Sequence, residues 1–179
     1  MLAEKARRAL EKKAAYGPDL QIPLVEPHGE DFAVESLDNL DKRLKEASLL
    51  SGFKTDESDR SGSFFQKDDT VLYQKVQEAY RGQVEIMSIE AALAQYPWLK
   101  EYYWRNVPVD MDKYTALVEL SGNGGYFIRI LPGARVEQPI QSCLLLDESG
   151  GSQRVHNIIV AEEGSHAQII TGCTITPEV

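Results

Sequence analysis

Cysteine is scarce in this 179-residue sequence. Its two copies, Cys143 and Cys173, stand far apart and form no Cys-x-x-Cys pair, which excludes a disulfide framework and a zinc ribbon. That scarcity fits a reducing compartment, and a cytoplasmic location is expected. Positive charge is also short: 19 Lys and Arg face 28 Asp and Glu, for a formal net charge of -9. A chain so charged is repelled by phosphate backbones and anionic lipids, which disfavours nucleic acid and membrane surfaces as partners. No run approaches the ~18 apolar residues that cross a bilayer, and no secretory leader is expected at the N-terminus. Histidine occurs three times, at His28, His156 and His166, without metal-ligand spacing. No HExxH, DxDxDG or GxSxG pattern occurs. What remains, 42% hydrophobic and 26% charged residues, is enough to build a core without staples.

The first part of the chain reads as helical or mixed. Residues 1–15 predict a helix with a thin apolar face (Leu2, Ala6, Ala9, Leu10) and a basic flank (Lys5, Arg7, Arg8, Lys12, Lys13). A surface helix and a docking or nucleic-acid arm both fit that pattern. Gly17 and Pro18 end it, and Pro18, Pro23, Pro27 and Gly29 predict an extended linker over 18–31. Leu37, Leu40, Leu44, Ala47 and Leu50 recur at helical spacing, predicting one helix over 36–50 capped by Ser36. The polar residues 54–63 predict an exposed, mobile loop. Residues 63–74 predict a hairpin around Asp68-Asp69, and 84–87 a further strand. Ser88 is placed to cap a helix that Pro97 breaks. Trp98, Tyr102, Tyr103 and Trp104 then predict a second short helix.

From residue 113 the period changes. Strand-length apolar runs at 114–120, 125–131, 134–146, 154–160 and 166–171 alternate with glycine turns. A barrel, a sandwich or a β-helix would all produce this pattern. The stretch 126–136 repeats in outline as 157–167, setting Gly133 and Gly164 31 residues apart and tilting the reading toward a β-helix. The expected class is therefore α+β, with a helical or mixed region over 1–112 and the first turns of a parallel β-helix over 113–179.

Few residues carry chemistry. Gly122-Asn123-Gly124-Gly125 lacks the Lys-Ser/Thr of a phosphate loop and leads into a strand, which predicts a tight turn. Cys173 lies near the end of a β run, in Gly172-Cys173-Thr174, and Cys143 lies mid-strand. A 31-residue repeat would set Cys143 over Thr174, beside Cys173. Two small buried residues and a thiol or metal function both fit. Iron–sulfur clusters take thiolates, but two cysteines do not complete a four-thiolate site.

Several segments, in order, resemble one family. Arg60-Ser61-Gly62-Ser63-Phe64-Phe65-Gln66, then 84–92, 126–141, 158–167 and Gly172-Cys173-Thr174, are similar to elements of the SufB/SufD iron–sulfur cluster assembly proteins of the SUF system. The resemblance covers residues 60–177. It implies a helical N-terminal region, a right-handed parallel β-helix and a C-terminal helical domain. It also implies pairing of SufB with SufD, recruitment of a SufC-like ATPase and receipt of sulfur as persulfide. Cys173 matches the cysteine that in SufB is associated with sulfur entry or passage, which makes the chain SufB-like. Two departures stand out: Ile175-Thr176-Pro177 replaces the family's Ala-Pro, and Cys143 stands where the family usually has no cysteine. Family members are also more than twice as long, so the expectation is an N-terminal part that ends at Val179 after the first β-helix turns. The late cluster-assembly residues and the ATPase-binding region are then absent.

The expected function is that of a scaffold component in iron–sulfur cluster assembly, without enzymatic activity of its own. Cys173 and, more weakly, Cys143 are the candidate sulfur-handling residues. A cluster is expected in the full assembly and not stably on this chain alone. Two alternatives stay open. One is an interaction module that pairs through its β end, with a second copy or a paralogue. The other is a small-molecule-binding β domain with inert cysteines, which a closed barrel would favour.

Overall fold

The computed structural model describes residues 1–21, 32–122 and 124–176. The expected linker at Pro23, Pro27 and Gly29, together with His28, lies outside them, as do Asn123 and 177–179. Helix α1 (Leu2–Ala9) is shorter than the sequence suggests. Its small residues Ala6 and Ala9 are fully buried against Val109 and Ala116. After Ala9 the chain is held by bonds other than a helical ladder. Ala15 N–H donates to Asp112 at 2.9 Å, and Lys113 pairs with Asp19 at 2.6 Å.

The expected helix over 36–50 is two elements. Ser36 accepts from Asp38 N–H at 3.2 Å and caps only a 3₁₀ turn, Leu37–Asn39. Leu40 is extended, and Asp41 starts helix α2 (Lys42–Leu50) by accepting from Leu44 N–H at 2.8 Å. Two side-chain caps within one periodic run explain why periodicity alone merged them.

The polar stretch 54–63 is not a free loop. Arg60 at its end is only 1% exposed; its guanidinium lies 4.6 Å from the Phe53 ring centroid and donates to the carbonyls of Lys54 and Asp56. Glu57 accepts from Ser63 and from Tyr73, each at 2.6 Å. A buried cation gathering backbone carbonyls folds this segment onto the protein.

Strands β1 (Gly62–Lys67) and β2 (Thr70–Val76) form the expected antiparallel hairpin. Asp68 turns it with φ of 49°, a conformation Asp tolerates better than most residues. Strand β3 (Val84–Ser88) runs into helix α3 (Ile89–Gln95), whose first turn Ser88 caps through Ala91 N–H at 3.1 Å. Pro97 opens a 3₁₀ segment, Pro97–Glu101, where a short helix was expected.

Residues 114–120 are not a strand. Helix α4 (Lys113–Ser121) begins in a capping box: Asp112 accepts from Thr115 N–H at 2.9 Å, and Thr115 Oγ1 accepts from Asp112 N–H at 3.2 Å. Its Ala116 is buried against α1. Asp112 and Thr115 at N-cap spacing were the legible signal. Helix α4 is therefore followed by a strand, the reverse of the strand-to-helix order of a phosphate loop.

Strands β4 (Tyr126–Ile130), β5 (Ile140–Leu146), β6 (Ile158–Ala161) and β7 (Ile169–Ile175) complete two mixed sheets. One sheet has the order β2-β1-β5-β7 and the other β3-β4-β6. In each, an antiparallel pair is extended by parallel strands. The chain alternates between them, so β4 and β6 share one sheet and β5 and β7 the other. The sheets do not close on each other. Strands before residue 113 and strands after it thus share both sheets.

Around the sheets, apolar residues fill three interfaces. Phe64, Ile86, Tyr126, Ile128, Ile140 and Leu144 pack between the sheets. Phe65, Cys143 and Leu145 meet α2 and Phe53 on one outer face. Phe127 meets Ile89, Ala92 and Leu99 of the α3 region on the other. That second face also carries Arg129 of β4, which pairs with Glu85 of β3 at 3.3 Å and with Glu162, just after β6, at 2.6 Å.

The repeat seen in the sequence is physical but not uniform. Gly133 and Gly164, with φ of 69° and 70°, sit one above the other, and Phe127 pairs with Ile158 at the expected offset. In the other sheet Ile140 pairs with Ile169, an offset two residues shorter. The cause lies after the bridge between Arg135 and His166. Residues 136–139 connect there to β5, whereas only 167–168 connect to β7.

Candidate functional site

The β5–β7 register sets the neighbours of the thiols. Cys143 pairs with Gly172 and not with Thr174; Cys173 pairs with Leu144. Alternate residues of a strand face opposite sides, so the two sulfurs project from opposite faces of one sheet. Cys143 is fully buried under α2, with Ser51 Oγ 3.4 Å from its sulfur. Burial pushes its thiol pKa up to about 11. Gly172 lies directly under that cap: a Cβ there would sit 2.8 Å from the Ser51 carbonyl oxygen. Glycine before Cys173 thus lets the end of α2 close over Cys143.

Cys173 is an exposed, free thiol on β7, an edge strand among the described residues. It shares a face with Ile169 and Thr171, toward the space between the sheets. Thr171 Oγ1 is held there by Tyr126 at 2.9 Å and Ser142 at 3.1 Å. The site is a reachable sulfur at the open end of the inter-sheet layer, with a buried sulfur on the reverse face. Among the described residues, no group of three or more His, Cys, Asp or Glu side chains is arranged to hold a metal ion.

The histidines do not join the thiols. His166 contributes its backbone to the bridge with Arg135. His156 stacks on Tyr103 at 4.4 Å and lies 4.2 Å from Trp104. The sequence offered no local sign of this, because the contact joins residues far apart in the chain. Burial lowers the His156 pKa to about 4, against about 6.5 in an unfolded chain. Between those values the unfolded chain holds a proton that the folded chain refuses, so this group's contribution to stability falls as pH drops from 6.5 toward 4. Urea midpoints of the wild type are expected to fall across that window, and more steeply than those of His156→Gln. Parallel slopes would mean that His156 titrates as freely when folded as when unfolded.

The molecule so described is an α+β protein of two open, mixed sheets with a solvent-facing thiol on an edge strand. No family model matches the chain. It is 40% identical to an iron–sulfur cluster assembly SufBD family protein of Methanothermobacter thermautotrophicus over 182 residues, 98% of this chain and 44% of that protein. A SufBD family protein of Archaeoglobus fulgidus is 44% identical over 77% of this chain and 35% of its own length. One of Pyrococcus horikoshii is 32% identical over 79% of this chain and 32% of its own. The chain is thus similar to SufBD family proteins, in the Methanothermobacter case along nearly its whole length, and it spans less than half the length of these relatives.

Among the described residues, no helix is long and apolar enough to cross a membrane.

Proposed function

We propose that this chain is part of a SufBD-type scaffold for iron–sulfur cluster assembly, and that Cys173 is the thiol through which sulfur reaches it. One conjunction carries the reading: homology to proteins named for this process over 98% of the chain, and a single exposed thiol, placed on an edge strand. The alternation of strands between sheets, with Gly133 over Gly164, supports taking β4 and the chain after it as the first turns of a right-handed parallel β-helix built onto β1 and β3. A SufC-like ATPase and a SufB- or SufD-like paralogue are the partners this reading implies, and the cytoplasm the compartment. The SufB-like assignment rests on Cys173.

The chemistry asked of the chain is transfer and not turnover. The Cys173 thiolate attacks the outer sulfur of a donor persulfide, R–S–SH. The donor S–S bond breaks, R–S⁻ leaves, and Cys173 becomes the persulfide, so no external oxidant is needed. The cluster is cargo. Cys143 and Cys173 face opposite sides of the sheet, so they do not clamp one iron together, and further ligands come from other chain segments or partners.

Glutathione persulfide under anaerobic conditions tests this by intact mass. Wild type and Cys143→Ser are expected to gain one sulfur atom, mapped to Cys173, and Cys173→Ser none. Undiminished uptake by Cys173→Ser would sink the assignment.

The open ends of both sheets favour a second reading, an interaction module. Strands β6 and β7 are both edges, and Ile159, Ile170 and Ile175 are exposed on them. Unpaired edges of this kind accept further strands. Sedimentation of the chain is then expected to show self-association that Ile159→Lys with Ile170→Lys abolishes. A monomer at every concentration would remove the self-pairing form of this reading.

A further inference from the structure

A cleft away from Cys173 opens between α4, the segment after Pro97–Glu101 and the start of β6. It has two adjoining lobes that share Trp104, Val107, His156 and Asn157. The larger, of about 310 Å³, is backed by Tyr114 and Val118 of α4 and by Val155. The smaller, of about 150 Å³, runs along residues 158–160 and carries Arg105 and Asn106 at its rim. Such a volume suits a small organic molecule, at the lower end of the usual ~300–1,000 Å³.

Its walls are built with unusual care. Trp104 is presented from a backbone φ of 60°, a left-handed conformation rare for a bulky residue. Strain of this kind clusters where a side chain must be aimed. The indole N–H donates to Glu119 at 2.7 Å, which fixes the ring. His156 is clamped between Trp104 and Tyr103, and its buried Nδ1 has no hydrogen-bond partner among the described residues. A buried polar atom left unpaired is uncommon and calls for an explanation. At the rim, Arg105 rests over the Tyr102 ring at 5.4 Å, and no carboxylate among the described residues pairs with it.

We propose that this cleft binds a small planar aromatic anion, its ring against Trp104 and His156 and its anionic group at Arg105. Aromatic walls select a flat ring. An unpaired guanidinium at the mouth selects against cations and offers a carboxylate, sulfonate or phosphate a two-pronged partner. In a chain of net charge -9 that selection has to be local.

The 179-residue chain tests this with 8-anilino-1-naphthalenesulfonate, in a Trp98→Phe background that leaves Trp104 as the sole energy-transfer donor. Saturable one-to-one binding is expected. Arg105→Gln, at an unchanged unfolding midpoint, should weaken it about tenfold, and His156→Ala should weaken it as well. The uncharged N-phenyl-1-naphthylamine should be indifferent to Arg105→Gln. Ile170→Ser with Ile175→Ser, on the exposed sheet edge, should change nothing, and neither should Cys173→Ser, which separates this site from sulfur handling. Unsaturable binding, indifference of the sulfonate to Arg105→Gln, or loss of binding in the β7 variant would each overturn the proposal.

Discussion

Gly125→Ala is expected to cost about 4 kcal/mol or more, the range reserved for changes the fold has no means to absorb. Gly125 has φ of 119°, and an added Cβ would lie 2.3 Å from the His156 carbonyl oxygen. That oxygen belongs to the backbone and is not free to move. His156 N–H donates to Gly124 O at 3.1 Å, and Tyr126 N–H donates to Asn157 Oδ1 at 3.0 Å. Gly125 also donates to the buried Gln66 side chain at 2.9 Å and accepts from Ile89 N–H at 3.1 Å. Relieving the clash would break bonds to β1, to α3 and to the segment before β6 together. Gly133→Ala is the control. Its φ is 69°, but nothing lies within 4 Å of the added carbon, so only the left-handed backbone term of about 1–2 kcal/mol remains. Urea unfolding of both variants at fixed m-value measures the difference. Equal losses would mean that the junction yields.

Phe65→Ala is expected to lose about 3–5 kcal/mol. Phe65 is completely buried, packs on Phe53 at 5.4 Å and pairs in register with Cys143. It stands under α2, and a collapsing α2 would pull on the neighbouring strands, so most of the vacated space stays empty. Against a typical domain stability of about 5–15 kcal/mol such a loss is severe. The same variant should raise the alkylation rate of Cys143, because that thiol is shielded by the same layer. Leu50→Ala, at a residue of α2 that is 73% exposed, should stay within about 0.5 kcal/mol. A small loss for Phe65→Ala together with a protected Cys143 would show that α2 closes the gap.

The elements legible in the sequence are those whose signals are local. The hairpin around Asp68-Asp69 and the helix capped by Ser88 needed only neighbours in the chain, and both formed as expected. Where short and long range disagree, the reading failed. Residues 114–120 look like a strand-length apolar run, but a capping box and burial against α1 make them part of a helix. Residues 54–63 look like a solvated loop, but the burial of Arg60 beside Phe53 pins them. The helix over 36–50 was right in period and wrong in continuity, because Asp41 starts a second cap inside it.

For the candidate site the division is sharper. From residue order alone came the α+β class, the glycine pair that stacks at Gly133 and Gly164, the family resemblance, and Cys173 as the thiol to watch. These depend on composition, spacing and residue type, which survive any placement of the elements. The tertiary structure alone decided that Cys143 and Cys173 are unlike. In the β5–β7 register Cys143 stands beside Gly172 and Cys173 beside Leu144, so the two-residue period of a strand puts the sulfurs on opposite faces, and the packing of α2 over one face only buries Cys143 and leaves Cys173 at the open end. It alone assembled Trp104, His156 and Arg105 into a cleft, because the contacts that bring them together run across the sheet and leave no period in the sequence.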